Sequence, residues 1–74
     1  MTSAQVRAAR GLLNWTVRDL AERASVHRNT VTNIETGRYS GSADALSAIR
    51  SAIESAGVQL IAENGGGAGV RFKK

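Results

Sequence analysis

The sequence predicts a mostly α-helical fold, four short helices followed by a C-terminal β-hairpin or strand pair. Three observations carry that expectation. Apolar residues recur at helical spacing in four successive stretches between Ser3 and Ala56, each opened by a hydroxyl residue or closed by glycine. The segment from Thr16 to Thr36 divides into two such helices around a three-residue turn, Ser25-Val26-His27. Beyond Gly57 the pattern changes to short strand-like runs around the glycine-rich bend ENGGGAG.

Seventy-four residues allow one domain with a small core, marginally stable alone, so a partner subunit would help. The lack of cysteine excludes a disulfide framework and a thiolate metal site, and fits the cytoplasm. The N-terminus MTSAQVRAAR has no signal-peptide apolar region, and no run nears the roughly 20 apolar residues that span a bilayer; a soluble chain without a membrane partner is expected. Ten Lys and Arg against six Asp and Glu give a net charge of +4 and a pI near 10.8. That balance suits a polyanion such as nucleic acid, and is shared by small proteins that are merely basic. Six basic and three acidic side chains fall within residues 1–38, a local +3, so most of the excess surrounds the two-helix segment.

The first helix is expected over Ser3 to Leu13. Thr2, followed three residues later by Gln5, forms a capping-box pattern that satisfies backbone N–H groups left open at a helix start. Val6, Ala9 and Leu13 form the inward stripe, and Arg10 lies on it too, where a guanidinium calls for an anion. Gly11 costs about 1 kcal/mol relative to alanine inside a helix and weakens the last turn.

Thr16 and Asp19 form a second capping box. Trp15 before the cap and Leu20 at the fourth helical position have the spacing of a hydrophobic staple, which favours a structural tryptophan over a stacking platform for a base. Ala21 and Ala24 are small where two helices must approach. The third helix is expected over Arg28 to Thr36, with Val31 and Ile34 turned inward. Asn29, Thr32, Asn33 and Thr36 then share the opposite face, with Arg28 at its edge. Such a face, free of acids, suits base edges in the major groove, because Asn and Arg can each make two hydrogen bonds to one base. Glu35 falls about 40° from Val31 on the helical wheel, near a helix end where negative charge opposes the dipole. Arg10 is its natural partner; a solvated glutamate is the alternative.

Gly37 can end this helix, and Arg38, Tyr39, Ser40 and Gly41 lead to a fourth helix starting near Ser42. Leu46, Ile49 and Ile53 line one side of it, and Ala45, Ala48, Ala52 and Ala56 favour close packing before Gly57 terminates it. Leu13, Val31 and Ile34 are its expected neighbours. Val58 to Ala62 and Val70 to Lys73 read as the two strands. Two strands leave both edges unpaired, so pairing with a second subunit through Val58, Leu60, Ile61, Val70 and Phe72 is expected. The alternative is an unstructured tail ending in Lys73 and Lys74. On the paired-strand reading, residues 1–57 are the helical unit and 58–74 a dimerisation segment.

Thr16 to Gly37 resembles the helix-turn-helix of the lambda-repressor-like Cro/CI (XRE) class of bacterial and phage DNA-binding proteins. The match runs through Leu20-Ala21, the Val26 turn, Thr30-Val31, Ile34-Glu35 and Gly37. With Arg10 and the fourth helix it covers residues 3 to 56, and the tail GVQLIAENGGGAGVRFKK also resembles the ending of short bacterial members. The resemblance implies base contacts from His27, Arg28, Asn29 and Asn33, with Thr30 and Thr32 beside them. It implies phosphate contacts from Thr16, the Val17 backbone, Thr36 and Arg38, and a buried salt bridge between Arg10 and Glu35. Two positions depart. Many members have glutamine where Val17 stands, so that contact is lost or passes to Arg18. Ser25 stands where glycine is usual and where φ > 0 is needed.

Catalysis has little support. His27 is the sole histidine, no acid is spaced to orient it, and so small a chain offers no obvious pocket. ENGGGAG lacks the Lys-Ser/Thr that follows a phosphate-binding loop, and one histidine without cysteine is a poor ligand set. No enzyme, metal or cofactor is expected. A protein-interaction module, such as an antitoxin or adaptor using its strand edge, stays open. The leading expectation is a homodimeric transcriptional regulator, most simply a repressor, with activation left open. It would read an inverted-repeat operator in double-stranded DNA, with half-sites about 34 Å apart or a multiple of that.

Overall fold

The computed structural model describes residues 1–38, 42–62 and 65–73. They form α1 (Ser3–Leu13), α2 (Val17–Ala24), α3 (Arg28–Glu35), α4 (Ala43–Ser55), β1 (Val58–Ile61) and β2 (Gly69–Phe72). The expected connection at Tyr39, Ser40 and Gly41, the Glu63-Asn64 part of the bend, and Lys74 lie outside the described residues.

Side-chain caps open every helix. Thr2 Oγ1 accepts the Gln5 N–H at 3.1 Å while Gln5 Oε1 accepts the Thr2 N–H at 2.8 Å. Thr16 and Asp19 repeat the exchange at 3.1 and 2.9 Å, and Ser42 Oγ accepts the Ala45 N–H at 3.2 Å. Both capping boxes read from the sequence are therefore formed. The cap of α3 is less usual, since His27 Nδ1 accepts the Asn29 N–H at 3.0 Å.

The first three helices all stop by the same two-bond closure. Trp15 and Asn14 donate to the carbonyls of Arg10 and Gly11, Val26 and Ser25 to those of Ala21 and Glu22, and Arg38 and Gly37 to those of Asn33 and Ile34. The bend residue is left-handed each time, at φ 57° for Asn14, 57° for Ser25 and 76° for Gly37. These closures turn the chain sharply enough that α2 and α3 each begin after only three intervening residues. Ser25 thus occupies the positive-φ position expected of the turn. α3 ends at Glu35, with Thr36 as its cap, one residue short of the sequence expectation.

One core joins all the elements except β2, which packs beside it. Val6, Ala9, Leu20, Val31, Ile34, Ile49, Ile53, Val58 and Leu60 are buried together, with Leu13, Trp15, Val17 and Val26 packed partly against them. Leu46 does not belong to this core: it is 37% exposed. The buried ridge of α4 follows the i, i+4 line through the half-buried Ala45 to Ile49 and Ile53, and Leu46 falls to one side of it.

β1 and β2 are antiparallel, with Val58 opposite Phe72, Gln59 opposite Arg71, Leu60 opposite Val70 and Ile61 opposite Gly69. The Lys73 N–H extends the ladder to the Gly57 carbonyl at 2.9 Å. Val58 and Leu60 face inward by the period-two alternation of a strand, so the chain's own core uses two of the five side chains expected at a subunit interface. Ile61 and Val70 are half-buried, and Phe72 is 48% exposed. No helix among the described residues is long and apolar enough to cross a membrane.

Candidate nucleic-acid interface

The outer face of α3 is built by burying its inner one. Val31, Ile34 and Glu35 are buried, which leaves Arg28, Asn29, Thr32, Asn33 and Thr36 exposed along the opposite side. The side chains of Arg28, Asn29, Thr32 and Asn33 are exposed and have no hydrogen-bond partner among the described residues. Thr30 differs. It is half-buried and lies at the margin of that face.

His27 has two jobs. With Nδ1 accepting the Asn29 N–H, the neutral ring carries its hydrogen on Nε2, and that nitrogen can only donate. The exposed imidazole is therefore suited to an acceptor, such as a phosphate oxygen or the N7 and O6 of guanine, and not to a base donor. The surface concavity beside it is lined by Arg18, Ala21, Glu22, Val26 and Arg28, so the turn and both helices meet there.

The residues expected to meet phosphates separate in the same way. Thr16 Oγ1 accepts the Asp19 N–H at the exposed start of α2, and its hydroxyl also favours the Asp19 carboxylate. Val17 is half-buried with its side chain against the core, so only its backbone N–H is presented at the helix start. Arg18 is exposed and pairs with Glu22 at 3.5 Å, an exposed i, i+4 contact of little energetic weight. Thr36 is less suited than its position suggests. Its hydroxyl hydrogen is engaged by the Thr32 carbonyl at 2.9 Å, with the Asn33 carbonyl at 3.3 Å. Arg38 is exposed just past the end of α3.

Behind this face lies a polar clamp. Arg10 Nε and a terminal nitrogen donate to the two Glu35 carboxylate oxygens at 2.9 and 3.1 Å, and the other terminal nitrogen donates to the Trp15 carbonyl at 3.1 Å. The hydrogen bond to Glu35 raises the Arg10 pKa above its ordinary value, so the guanidinium stays charged. Arg7 adds a hydrogen bond to the Glu35 backbone carbonyl. Two arginines thus converge on the C-terminal turn of α3, the negative end of its dipole. The Arg23 guanidinium lies 4.6 Å from the Trp15 ring centre, which gives the tryptophan a packing role.

Three residues escape sequence reasoning. Gln5 is legible as a cap, but its amide nitrogen also donates to the carbonyls of Ile61 and Gly69 at 2.8 and 2.9 Å, a tertiary contact no local pattern announces. Arg7 lies three residues before Arg10, about 60° away on the wheel, the one signal that both could reach α3. Arg23 has none.

Residues 3–60 match the family described as the helix-turn-helix domain. The chain belongs to that family. Its members are XRE/Cro-like DNA-binding domains, typically non-enzymatic, and the match spans α1 through most of β1. A comparison with curated proteins finds no match.

Proposed function

We propose that this helix-turn-helix protein is a homodimeric transcriptional regulator that lays α3 in the major groove of an inverted-repeat operator. The open face of Arg28, Asn29, Thr32 and Asn33, on a helix whose other side is locked into the core, is the observation that carries the reading. Asn29, Asn33 and Arg28 read base edges, with His27 donating to an acceptor at the helix start and Thr32 alongside. Thr30 contributes only at the margin. Thr16, the Val17 N–H, Arg18 and Arg38 meet phosphates on either side of the groove, and Thr36 can join them once its hydroxyl turns away from Thr32. Occlusion of a promoter is the simplest mode for a domain that binds DNA in the major groove, and the cytoplasm is the compartment this reading implies.

The dimer uses the hairpin. Since Gly57 and Lys73 form a hydrogen-bonded pair, alternation turns the backbone groups of Val70 and Phe72 outward from β2, and no third strand takes them among the described residues. Two copies pair these edges around a two-fold axis, with Phe72, Val70 and Ile61 supplying apolar contact. The same open edge supports a second reading, capture of another protein by strand addition.

Selection of bound sequences from a random DNA pool tests the proposal. Enrichment of a palindrome is expected, with affinity falling steeply as salt rises. No enrichment, or salt-insensitive binding, would favour the protein-capture reading.

A further inference from the structure

We propose that Gln5 is a positioning residue: by fixing the hairpin against the helical body, it sets which half-site spacing the dimer accepts. The inference rests on the hairpin-mediated dimer proposed above. Its ground is the unusual set of bonds on one buried amide.

Gln5 is only 5% exposed. Its oxygen accepts the Thr2 N–H, and its nitrogen donates to Ile61 and Gly69. Those two residues face one another across the sheet, so a single side chain holds both strands at the end next to the bend. The other end is held covalently, where Gly57, at φ 95°, joins α4 to β1. Without Gln5, the hairpin would rest on the body through apolar contacts of Val58, Leu60 and Val70, which are non-directional and allow pivoting about Gly57. Hydrogen bonds restrict direction as well as distance. The amide therefore converts a hinged hairpin into a fixed one.

The same helix holds the DNA-reading element. α1 packs against α3 as well as against both strands, and Arg7 and Arg10 grip Glu35 within about 8 Å along the axis from Gln5. The path from the dimer edge to the recognition helix thus runs through fewer than two turns of one helix. Adding or removing one base pair between half-sites turns one of them by about 34° around the duplex. A rigid path rejects that rotation, and a pivoting hairpin absorbs it.

The test compares affinity across a series of inverted half-sites differing by single base pairs in spacing. The wild-type chain should favour one spacing sharply. Gln5→Leu should remain folded and dimeric and bind an isolated half-site as before, while its preference for the best spacing over its neighbours falls by about fivefold or more. Gln5→Asn, whose amide is withdrawn by about 1.5 Å, should behave alike. Residual dipolar couplings should show the hairpin averaging its orientation relative to α3 in both variants. An unchanged preference in folded, dimeric variants would overturn the proposal and leave the dimer reading intact. Loss of folding in both would assign Gln5 to stability alone and also overturn it. A monomeric wild type, or one indifferent to spacing, would overturn the dimer reading and this inference together.

Discussion

Arg10 holds both carboxylate oxygens of Glu35, yet the two partners are unequally buried. The arginine side chain is 27% exposed and the glutamate 7%. Loss of the arginine would strand a carboxylate away from water, whereas loss of the glutamate leaves a cation that can still reach solvent and the Trp15 carbonyl. Arg10→Met should therefore cost about 3 kcal/mol, the low end for breaking a buried pair, and Glu35→Gln less. The double variant Arg10→Met/Glu35→Leu should recover most of the loss. Urea denaturation of the four proteins checks this, and additive losses in the double variant would contradict the pairing energetics.

Ser25 and Gly11 are each the less stable choice for their site. Serine holds φ 57° at the bend between α2 and α3, where glycine avoids the Cβ clash. Gly11 sits inside α1, and a Cβ there would meet nothing within 4 Å. Ser25→Gly and Gly11→Ala should each stabilise the protein by about 0.5–1 kcal/mol, and the gains should add because the sites share no partner. Asn14→Gly should gain less, since asparagine tolerates the left-handed region. Thermal melts report the order directly.

The α2 capping box makes part of the stability acid-sensitive. The Thr16 backbone N–H, then its hydroxyl, lowers the Asp19 pKa below its ordinary value of 3.8, with smaller help from Arg23 and Arg18. A depressed folded-state pKa means that the unfolded chain binds the proton first as pH falls. The contribution is present above the unfolded value and is lost as pH drops through the folded one. Asp19→Asn should flatten the stability profile below about pH 4, and an unaltered acid limb would remove Asp19 as its source.

Most of the architecture was legible because it is locally encoded. Both capping boxes, the span of α1, the inward Val31 and Ile34, and the meeting of Arg10 with Glu35 follow from helical periodicity and side-chain chemistry. What stayed hidden depends on where elements pack. Leu46 satisfies the helical pattern but falls off the ridge that meets α2 and β1. Val58 and Leu60 alternate as strand residues should, yet which side they turn to depends on α1 and α4 lying beneath them. The Gln5 contact spans 56 and 64 residues of sequence, beyond any periodic signal. At the interface, residue types were readable while their hydrogen-bond states were not. The His27 cap and the back-bonded Thr36 hydroxyl decide what each can offer to DNA.

Positions that read bases and positions that hold phosphates should separate by how their loss depends on salt and sequence. Asn33 lies on the exposed face with no side-chain partner among the described residues, so Asn33→Ala should cost about 1–3 kcal/mol at one or two operator positions and relax specificity there. Asn29→Ala should do the same at a neighbouring position. Arg38 lies beyond the helix end, so Arg38→Ala should weaken binding alike on all sequences and reduce the slope of log K against log salt by about 1. Arg18→Ala should act in that second way, reinforced by the freed Glu22 carboxylate, which would add repulsion near the backbone. Fluorescence anisotropy on the selected operator and its single-base variants, at several salt concentrations, measures both quantities at once. If Asn33→Ala lowered affinity uniformly and Arg38→Ala altered base preference, α3 would have to lie across the groove in another orientation, with its C-terminal end toward the bases.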